Sequence, residues 1–284
     1  MPSLRALHGA GHRVALVVTQ PDRPGHRLRL TPPAVKVAAE ELGLDVYQPE
    51  RVRAPESVER LTALAPELIV VVAYGQIIPR SVLAIPARGI LNVHASLLPR
   101  HRGAAPIAHA ILSGDPTTGV TIMRMDEQLD HGPVLTMRET PIGPHEDQAA
   151  LAERLAPMGA ELLVETIARL DEIVPAEQDH AAATLAPKLA REDGELEWDR
   201  DAAEIDRRVR GLHPWPGVTL PFAGTRVKIL RGQPLSGSGE PGEVLHAGRD
   251  GVEVAAGHGS YLLEEVQPPG RRPTPAQALV AQRA

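Results

Sequence analysis

The chain has 284 residues and a mass of 30.4 kDa, a length that suits one large domain or two modest ones. Its 43% hydrophobic and 23% charged residues are typical of a folded protein, and the absence of cysteine excludes a disulfide scaffold, a thiolate metal site and a cysteine nucleophile. The formal net charge of -6 argues against a surface that is basic throughout, so any contact with nucleic acid must come from a local patch.

The first part of the sequence alternates short β-branched apolar runs with helical patterns, which predicts a mostly parallel sheet with helices on its faces. The predicted strands cover residues 14–18, 68–73, 89–94, 120–125 and 134–137. The predicted helices cover residues 2–11, 33–43, 104–114 and 147–172, the last with apolar side chains along one face. We therefore expect a Rossmann-like α/β catalytic domain over residues 1–172.

The second part of the sequence has a different character. The helical and strand periods fail from about residue 175, where Ala, Pro and polar residues take over, and this predicts a surface linker over residues 173–199. A helix at 200–212 follows, and then five short strands at 218–222, 226–230, 242–246, 251–255 and 260–265. These strands, bounded by Gly and Pro, predict a small β-barrel of the oligonucleotide-binding (OB) kind over residues 200–284.

The apolar stretches of the sequence are short. The longest uninterrupted one, residues 68–74, falls far short of the ~20 residues that span a bilayer. The N-terminus also lacks the apolar core of a signal peptide. We expect a cytoplasmic protein.

One predicted strand carries two polar side chains suited to carbonyl chemistry. Asn92 and His94 lie two residues apart in the strand at 89–94, so both point to the same face near its carboxyl end, where α/β sheets bind ligands. An Asn amide can stabilise a developing oxyanion, and a His can exchange a proton near neutral pH. The alternative is a structural histidine bonded to a nearby loop.

An acidic loop follows the strand at 120–125. If that strand lies beside the one carrying Asn92 and His94, Asp130 can reach the His94 ring, fix its tautomer and raise its pKa. The alternative for Asp130 is a turn residue that accepts backbone N–H groups before Gly132. The sequence thus predicts a site in which an amide, an imidazole and a carboxylate converge.

The segments at 92–99, 102–107 and 129–132 resemble the formyltransferases that use 10-formyltetrahydrofolate. The resemblance runs over nearly the whole chain, with further similar stretches at 17–24, 186–198 and 213–217. The Arg-Gly-Ala-Ala-Pro-Ile run at 102–107, the basic loop at 20–33 and the C-terminal module at 200–284 are similar to those of members that act on methionyl initiator tRNA. The resemblance implies transfer of a formyl group from the folate to the α-amino group of that aminoacyl-tRNA.

Roles for three residues come with this resemblance. Asn92 is expected to donate to the oxyanion of the tetrahedral intermediate, and His94 to stabilise the same charge or to move the proton. Asp130 is expected to hold His94 and to help move protons through water. The reaction needs no metal, because the aryl nitrogen of the folate already activates the formyl group.

The resemblance also implies binding residues. The turn after the catalytic strand is expected to hold the folate through its backbone groups. The residues of this turn are Ser96, Leu97, Leu98 and Pro99. Ile77 and Ile78 are expected to form another wall of the pocket. For the stretch 74–79 an ordinary turn between a strand and a helix is the alternative. The expected tRNA-binding residues are Arg23, Arg27, Arg29 and Lys188. A solvated basic loop without a partner is the alternative for the first three.

The sequence departs from this family at its start. Residues 1–7 correspond to a position that follows a first strand and a Gly-Thr-Pro turn in the relatives. Because the first strand of a doubly wound sheet lies centrally, its omission leaves unpaired backbone groups on two neighbours. We hypothesise that the start given is too late, with a truncated copy as the alternative, and expect a native mass above 30.4 kDa.

Other functions remain open from the sequence. A formyltransferase acting on an amino-sugar nucleotide would use the same chemistry on another acceptor. A hydrolase releasing formate would need no basic loop, and a nucleotide- or RNA-binding module would need no catalysis. We expect the tRNA-directed enzyme, acting as a monomer.

Overall fold

The computed structural model describes residues 1–24 and 30–281, which fold into two compact units. The first unit comprises residues 1–106, 118–140 and 153–186. The second comprises residues 107–117, 141–152 and 187–284, as far as they are described. The predicted division at residues 172 and 200 stays a prediction.

The helices and strands follow in chain order. The helices are α1 (Pro2–Gly9), α2 (Ala34–Glu41), α3 (Pro55–Leu64), α4 (Arg80–Leu83), α5 (Pro106–Leu112), α6 (Gln148–Ala168), α7 (Ala202–Gly211) and α8 (Gln277–Ala281). The strands are β1 (Val17–Val18), β2 (Arg23–Pro24), β3 (Leu30–Thr31), β4 (Val46–Tyr47), β5 (Ile69–Val71), β6 (Ile90–His94), β7 (Arg102–Gly103), β8 (Thr117–Arg124), β9 (Val134–Pro141), β10 (Leu185–Ala186), β11 (Val218–Phe222), β12 (Thr225–Leu235), β13 (Val244–Gly248), β14 (Gly251–Ala255), β15 (Ser260–Gln267) and β16 (Thr274–Pro275).

The main sheet of the first unit has the strand order β5-β6-β8-β9. Strand β6 is parallel to β5 and antiparallel to β8, and parallel pairs also join β1 to β4 and β7 to β10. The predicted mostly parallel α/β fold is therefore confirmed. The predicted neighbour of the catalytic strand, β8, is confirmed as well, but it runs in the opposite direction.

Strand β6 has two different faces, as the period of two predicts. Val93 points toward α6, where a Cβ on Gly159 would lie 3.1 Å from its Cγ1. Asn92 and His94 point to the other face and are 9% and 5% exposed. With Val93 on α6, the alternation of the strand directs Asn92 and His94 to the opposite face of the sheet, where both are buried.

The parallel strands β1 and β4 form a sheet separate from the main one. Within residues 1–24 and 30–281, β1 pairs only with β4, and β5 lies at the edge of the four-stranded sheet. Each of these strands therefore has one side without a paired strand.

The second unit contains an antiparallel sheet with the order β11-β12-β15-β14-β13, and β16 pairs with β15. The five strands predicted for this region are confirmed. Helix α7 packs against β12 and β15, and it buries Ile205 and Val209 in a core that also contains Leu220 and Tyr261. Among the strands described, none closes this small barrel-like sheet into a ring.

The prediction of a surface linker at 173–199 is wrong at several residues. Gln178 and Ala186 are 7% and 0% exposed, and β10 pairs in parallel with β7. Leu196 and Trp198 belong to the core of the second unit. The segment lacks a helical or strand period because it makes short, irregular contacts, and not because it lies in solvent.

No helix of the described chain is long and apolar enough to span a bilayer.

Candidate active site

The three residues expected to carry the chemistry lie together in the first unit. Asn92 donates from Nδ2 to Oδ1 of Asp130 at 3.1 Å, and the same oxygen lies 3.6 Å from Nδ1 of His94. The side chains of His94 and Asp130 are 5% and 10% exposed. The prediction that an amide, an imidazole and a carboxylate converge is thus met in the structure.

The His94 ring is held by a partner that the sequence did not predict. Its Nε2 lies 2.9 Å from the carbonyl oxygen of His101, and since a carbonyl can only accept, Nε2 donates this bond. Asp130 lies beyond hydrogen-bond distance of Nδ1, at 3.6 Å. His101, and not Asp130, therefore fixes the tautomer and the ring orientation.

Burial lowers the pKa of His94 below the ordinary value of an imidazole. The negative charge of Asp130 and the bond to His101 act in the opposite direction, but they do not outweigh desolvation. Asp130 thus raises the pKa of His94 as predicted, but the sequence did not predict that desolvation would leave the net pKa lowered. At neutral pH the ring is uncharged, with its proton on Nε2 and a lone pair on Nδ1 facing Asp130.

A glycine backbone supports the carboxylate of Asp130. Gly103 donates its N–H to Oδ2 at 2.8 Å, while Asn92 holds Oδ1. Gly103 has a φ of +131°, and an added Cβ would lie 2.4 Å from the carbonyl oxygen of Ala186. Only glycine fits between β10 and the carboxylate at this position.

The turn after β6 is bonded largely to its own surroundings. Ser96 is fully buried and donates to the carbonyl of Arg100 at 2.6 Å, and Thr121 donates to the carbonyl of Ser96 at 2.6 Å. The N–H of Leu98 donates to Thr121, and the peptide bond between Leu98 and Pro99 is cis. These contacts fix the shape of the turn directly beside His94. The role of the turn in folate binding, including that of Leu97, stays a prediction.

The first residue of α4, which follows the loop after β5, approaches the acidic loop. Arg80 Nε lies 3.3 Å from Oε1 of Glu127, three residues before Asp130. Ile77 is 89% exposed, whereas Ile78 packs on the buried cluster beside β5. Ile78 thus anchors the loop that carries the exposed Ile77, and the role of both residues in a folate pocket stays a prediction.

The expected tRNA-binding residues are only partly described. Arg23 is exposed and donates to Gln20 at 3.2 Å, and Gln20 in turn donates to the carbonyl of Tyr74 at 2.9 Å. The start of the basic loop is thus tied to the loop that contains Ile77. Lys188 is exposed in the second unit. Arg27 and Arg29 lie outside the described residues.

Sequence reasoning missed two buried side chains next to the site. Arg102 and Gln178 are 8% and 7% exposed, and both contact the surroundings of Asp130. Arg102 also bonds to Nδ1 of His180 at 2.9 Å, and the His180 ring stacks on His131 at 3.9 Å. Arg102 belongs to the motif at 102–107, but its burial and that of Gln178 were not predicted, because each lies in a segment without a regular period. Within the described chain, no cluster of three His, Asp or Glu side chains is placed to bind a metal.

The comparisons with known proteins identify the class to which this fold and site belong. A family model described as "Formyl transferase" matches residues 3–167, and one described as "Formyl transferase, C-terminal domain" matches residues 188–284. The chain belongs to the formyl transferase family. It is 50% identical to the methionyl-tRNA formyltransferase of Citrifermentans bemidjiense over 283 residues, which cover 99% of this chain and 89% of that relative.

Solved structures share the fold at low sequence identity. HypX from Aquifex aeolicus, in complex with tetrahydrofolic acid, aligns with a TM-score of 0.63 at 19% identity, over 94% of this chain and 46% of HypX. An N-formyltransferase from Helicobacter canadensis, in complex with folinic acid and dTDP-3-aminofucose, aligns with a TM-score of 0.68 at 14% identity, over 92% and 93% of the two chains.

Proposed function

We propose that the protein transfers the formyl group of 10-formyltetrahydrofolate to the α-amino group of methionyl initiator tRNA, for translation initiation. The observation that carries this is the 50% identity to a methionyl-tRNA formyltransferase across 99% of the chain. The convergence of Asn92, His94 and Asp130 supports the chemistry. We expect the enzyme to act in the cytoplasm, as a monomer and without a metal.

Asn92 supplies the oxyanion donor in this proposal. The methionyl amine attacks the formyl carbon, and the carbonyl oxygen becomes negative in the tetrahedral intermediate. One N–H of the Asn92 amide is held by Asp130, which fixes the plane of the amide. The second N–H is then left to meet the developing charge at low reorganisation cost.

His94 and Asp130 move the proton. The low pKa of His94 keeps Nδ1 unprotonated, so this nitrogen can accept the proton that the attacking amine loses. Asp130, 3.6 Å from Nδ1, stabilises the imidazolium that forms. The proton then passes to the leaving N10 nitrogen as the tetrahedral intermediate collapses, which returns His94 to its neutral form.

The folate lies against the turn at Ser96, Leu97, Leu98 and Pro99 in this proposal, with Ile77 as an apolar wall and Ile78 behind it. The complex of HypX with tetrahydrofolic acid supports a folate as the donor, since the two proteins share this fold. The acceptor tRNA contacts Arg23, Arg27, Arg29 and Lys188 through its phosphates. Such contacts weaken as the salt concentration rises.

The test is a comparison of acceptors with one donor. The purified protein receives 10-formyltetrahydrofolate with methionyl initiator tRNA, with a dTDP-linked amino sugar, or with water alone. We expect formylmethionyl-tRNA in the first arm and no product above background in the other two. Formylation of the sugar would favour the amino-sugar alternative, release of formate would favour a hydrolase, and no turnover in any arm would favour a binding module.

A further inference from the structure

The loop between β8 and β9 holds Asp130 in a backbone conformation that needs support from outside the loop. Asp130 has a φ of +46°, in the left-handed region that residues other than glycine rarely adopt. The side-chain amide of Gln178 donates to the backbone carbonyls of Asp130 and Gly132, at 3.0 and 2.7 Å. One buried side chain therefore holds the loop on both sides of residue 131.

The hydrogen-bonding capacity of the Gln178 amide is fully used. Its nitrogen donates both hydrogens to the two loop carbonyls, and its oxygen accepts from Nε and Nη2 of Arg102 at 3.1 and 2.6 Å. An amide bonded in this way cannot rotate by 180° without turning its nitrogen toward the guanidinium and its oxygen toward the carbonyls. Arg102 thus fixes the direction in which Gln178 donates.

The same stretch of chain that supplies Arg102 also holds the carboxylate of Asp130. Gly103 donates to Oδ2, so Asp130 is held at its carbonyl by Gln178 and at its carboxylate by the residue after Arg102. Gln178 is itself anchored, because Ala176 and Val134 exchange two backbone hydrogen bonds of 2.8 Å. The contacts form one connected network around a single side chain.

We propose that Gln178 is a positioning residue for formyl transfer, which holds the Asp130 carboxylate against Asn92 and His94. The proposal rests on the proposed function and adds a residue from the segment that the sequence predicted as a linker. Gln178 does not contact the reacting atoms. It acts by fixing the backbone from which Asp130 projects.

Two substitutions separate the donor role of Gln178 from its packing. Gln178→Glu keeps the shape and the oxygen facing Arg102 but loses both donors to the loop carbonyls. Gln178→Leu loses the donors and the acceptor, and Glu177→Ala, at the exposed preceding residue, is the matched control. We expect both Gln178 variants to lower kcat for formylmethionyl-tRNA by roughly 10- to 100-fold, because small misplacements of catalytic groups have large effects on rate. KM for both substrates and the control's kcat should stay within about twofold of wild type.

A second measurement reports the position of Asp130 without any turnover. Since a nearby carboxylate favours the charged imidazole, loosening Asp130 should move the His94 titration midpoint, followed by NMR of nitrogen-labelled histidine, to lower pH. Wild-type kcat together with an unchanged His94 midpoint in Gln178→Glu would overturn the proposal. This holds even if the variant has a lower melting temperature, because Gln178 would then contribute only to stability. If the wild type itself transfers no formyl group, the proposed function fails, and the NMR midpoint alone decides on the positioning of Asp130.

Discussion

At the scale of single residues, the site combines a buried neutral histidine with a carboxylate that does not bond to it. His94 is 5% exposed and donates from Nε2 to His101, so its free nitrogen faces Asp130 across 3.6 Å. An ordinary imidazole in solution would be partly protonated near pH 6.5. Burial removes that proton at neutral pH and leaves His94 ready to accept one.

The lowered pKa of His94 has a consequence for stability. The unfolded chain binds a proton at His94 as the pH falls below about 6.5, whereas the folded chain does not until the pH reaches the lower folded pKa. The free energy of unfolding should therefore decrease as the pH falls from the unfolded pKa to the folded pKa of His94. This residue contributes a slope of up to about 1.4 kcal/mol per pH unit.

Urea unfolding at a series of pH values measures this contribution. In His94→Gln the slope below pH about 6.5 should be reduced relative to wild type. His8→Gln, at an exposed position on α1, is the control and should keep the wild-type slope. An identical slope in wild type and His94→Gln would contradict the account of His94.

At the scale of the elements, the close parallel pairing of β10 with β7 fixes Gly103, whose N–H holds the Asp130 carboxylate. Gly103→Ala would place a Cβ 2.4 Å from the carbonyl of Ala186, at a φ of +131°. We expect a loss of roughly 1–3 kcal/mol in the free energy of unfolding, because the backbone must shift. The rate of formyl transfer should fall as well, since the N–H that holds Asp130 moves with it.

Gly9→Ala is the matched control for this substitution. Gly9 lies at the end of α1, and an added Cβ there has no heavy atom within 4 Å. Its effect on urea unfolding should be near zero or slightly stabilising, as helix propensity predicts. Equal stability of the Gly103 and Gly9 variants would show that the contact between β7 and β10 is looser than described.

The elements differ in how well the sequence predicted them. Strand β6 and the shared face of Asn92 and His94 follow from the period of two, and the structure confirms both. Strand β4 has only two residues, too few for a pattern, and α3 buries only Ser57 and Leu61, so its apolar period is weak. The direction of β8 and the burial of Gln178 depend on contacts between distant parts of the chain, which local patterns do not encode.

At the scale of the whole molecule, the described strands of the first unit form one four-stranded sheet and three two-stranded sheets, and β1 belongs to a two-stranded one. In β1, Val17 donates to the carbonyl of Asp45 and Thr19 to that of Tyr47, at 2.8 and 3.0 Å. Because backbone groups alternate along a strand, the N–H of Val18 faces away from β4. Within the described residues, β1 pairs with no strand on that side.

Hydrogen exchange of single amides tests this open edge. The amide of Val18 should exchange at least about tenfold faster than those of Val17 and Thr19. Leu91 and Asn92, in a strand paired on both sides, should be uniformly slow and serve as the reference. Equal protection of Val17 and Val18 would show that another strand covers this side of β1.

The sequence predicted the chemical groups of the site better than the contacts and the burial that surround them. The resemblance to formyltransferases supplied Asn92, His94 and Asp130 together, and the structure places all three in contact or close to it. Physical reasoning from the sequence did not anticipate that desolvation would outweigh Asp130 in setting the pKa of His94. The burial of a side chain depends on the packed fold, so this result required the three-dimensional arrangement.

The single-turnover rate of formyl transfer to methionyl initiator tRNA in Asn92→Ala tests the central claim most directly. Asn92 is assigned to the developing oxyanion, so the rate should fall by roughly 10²- to 10³-fold, with folate affinity close to that of wild type. A rate equal to that of wild type would contradict the claim that this side chain acts on the formyl carbonyl.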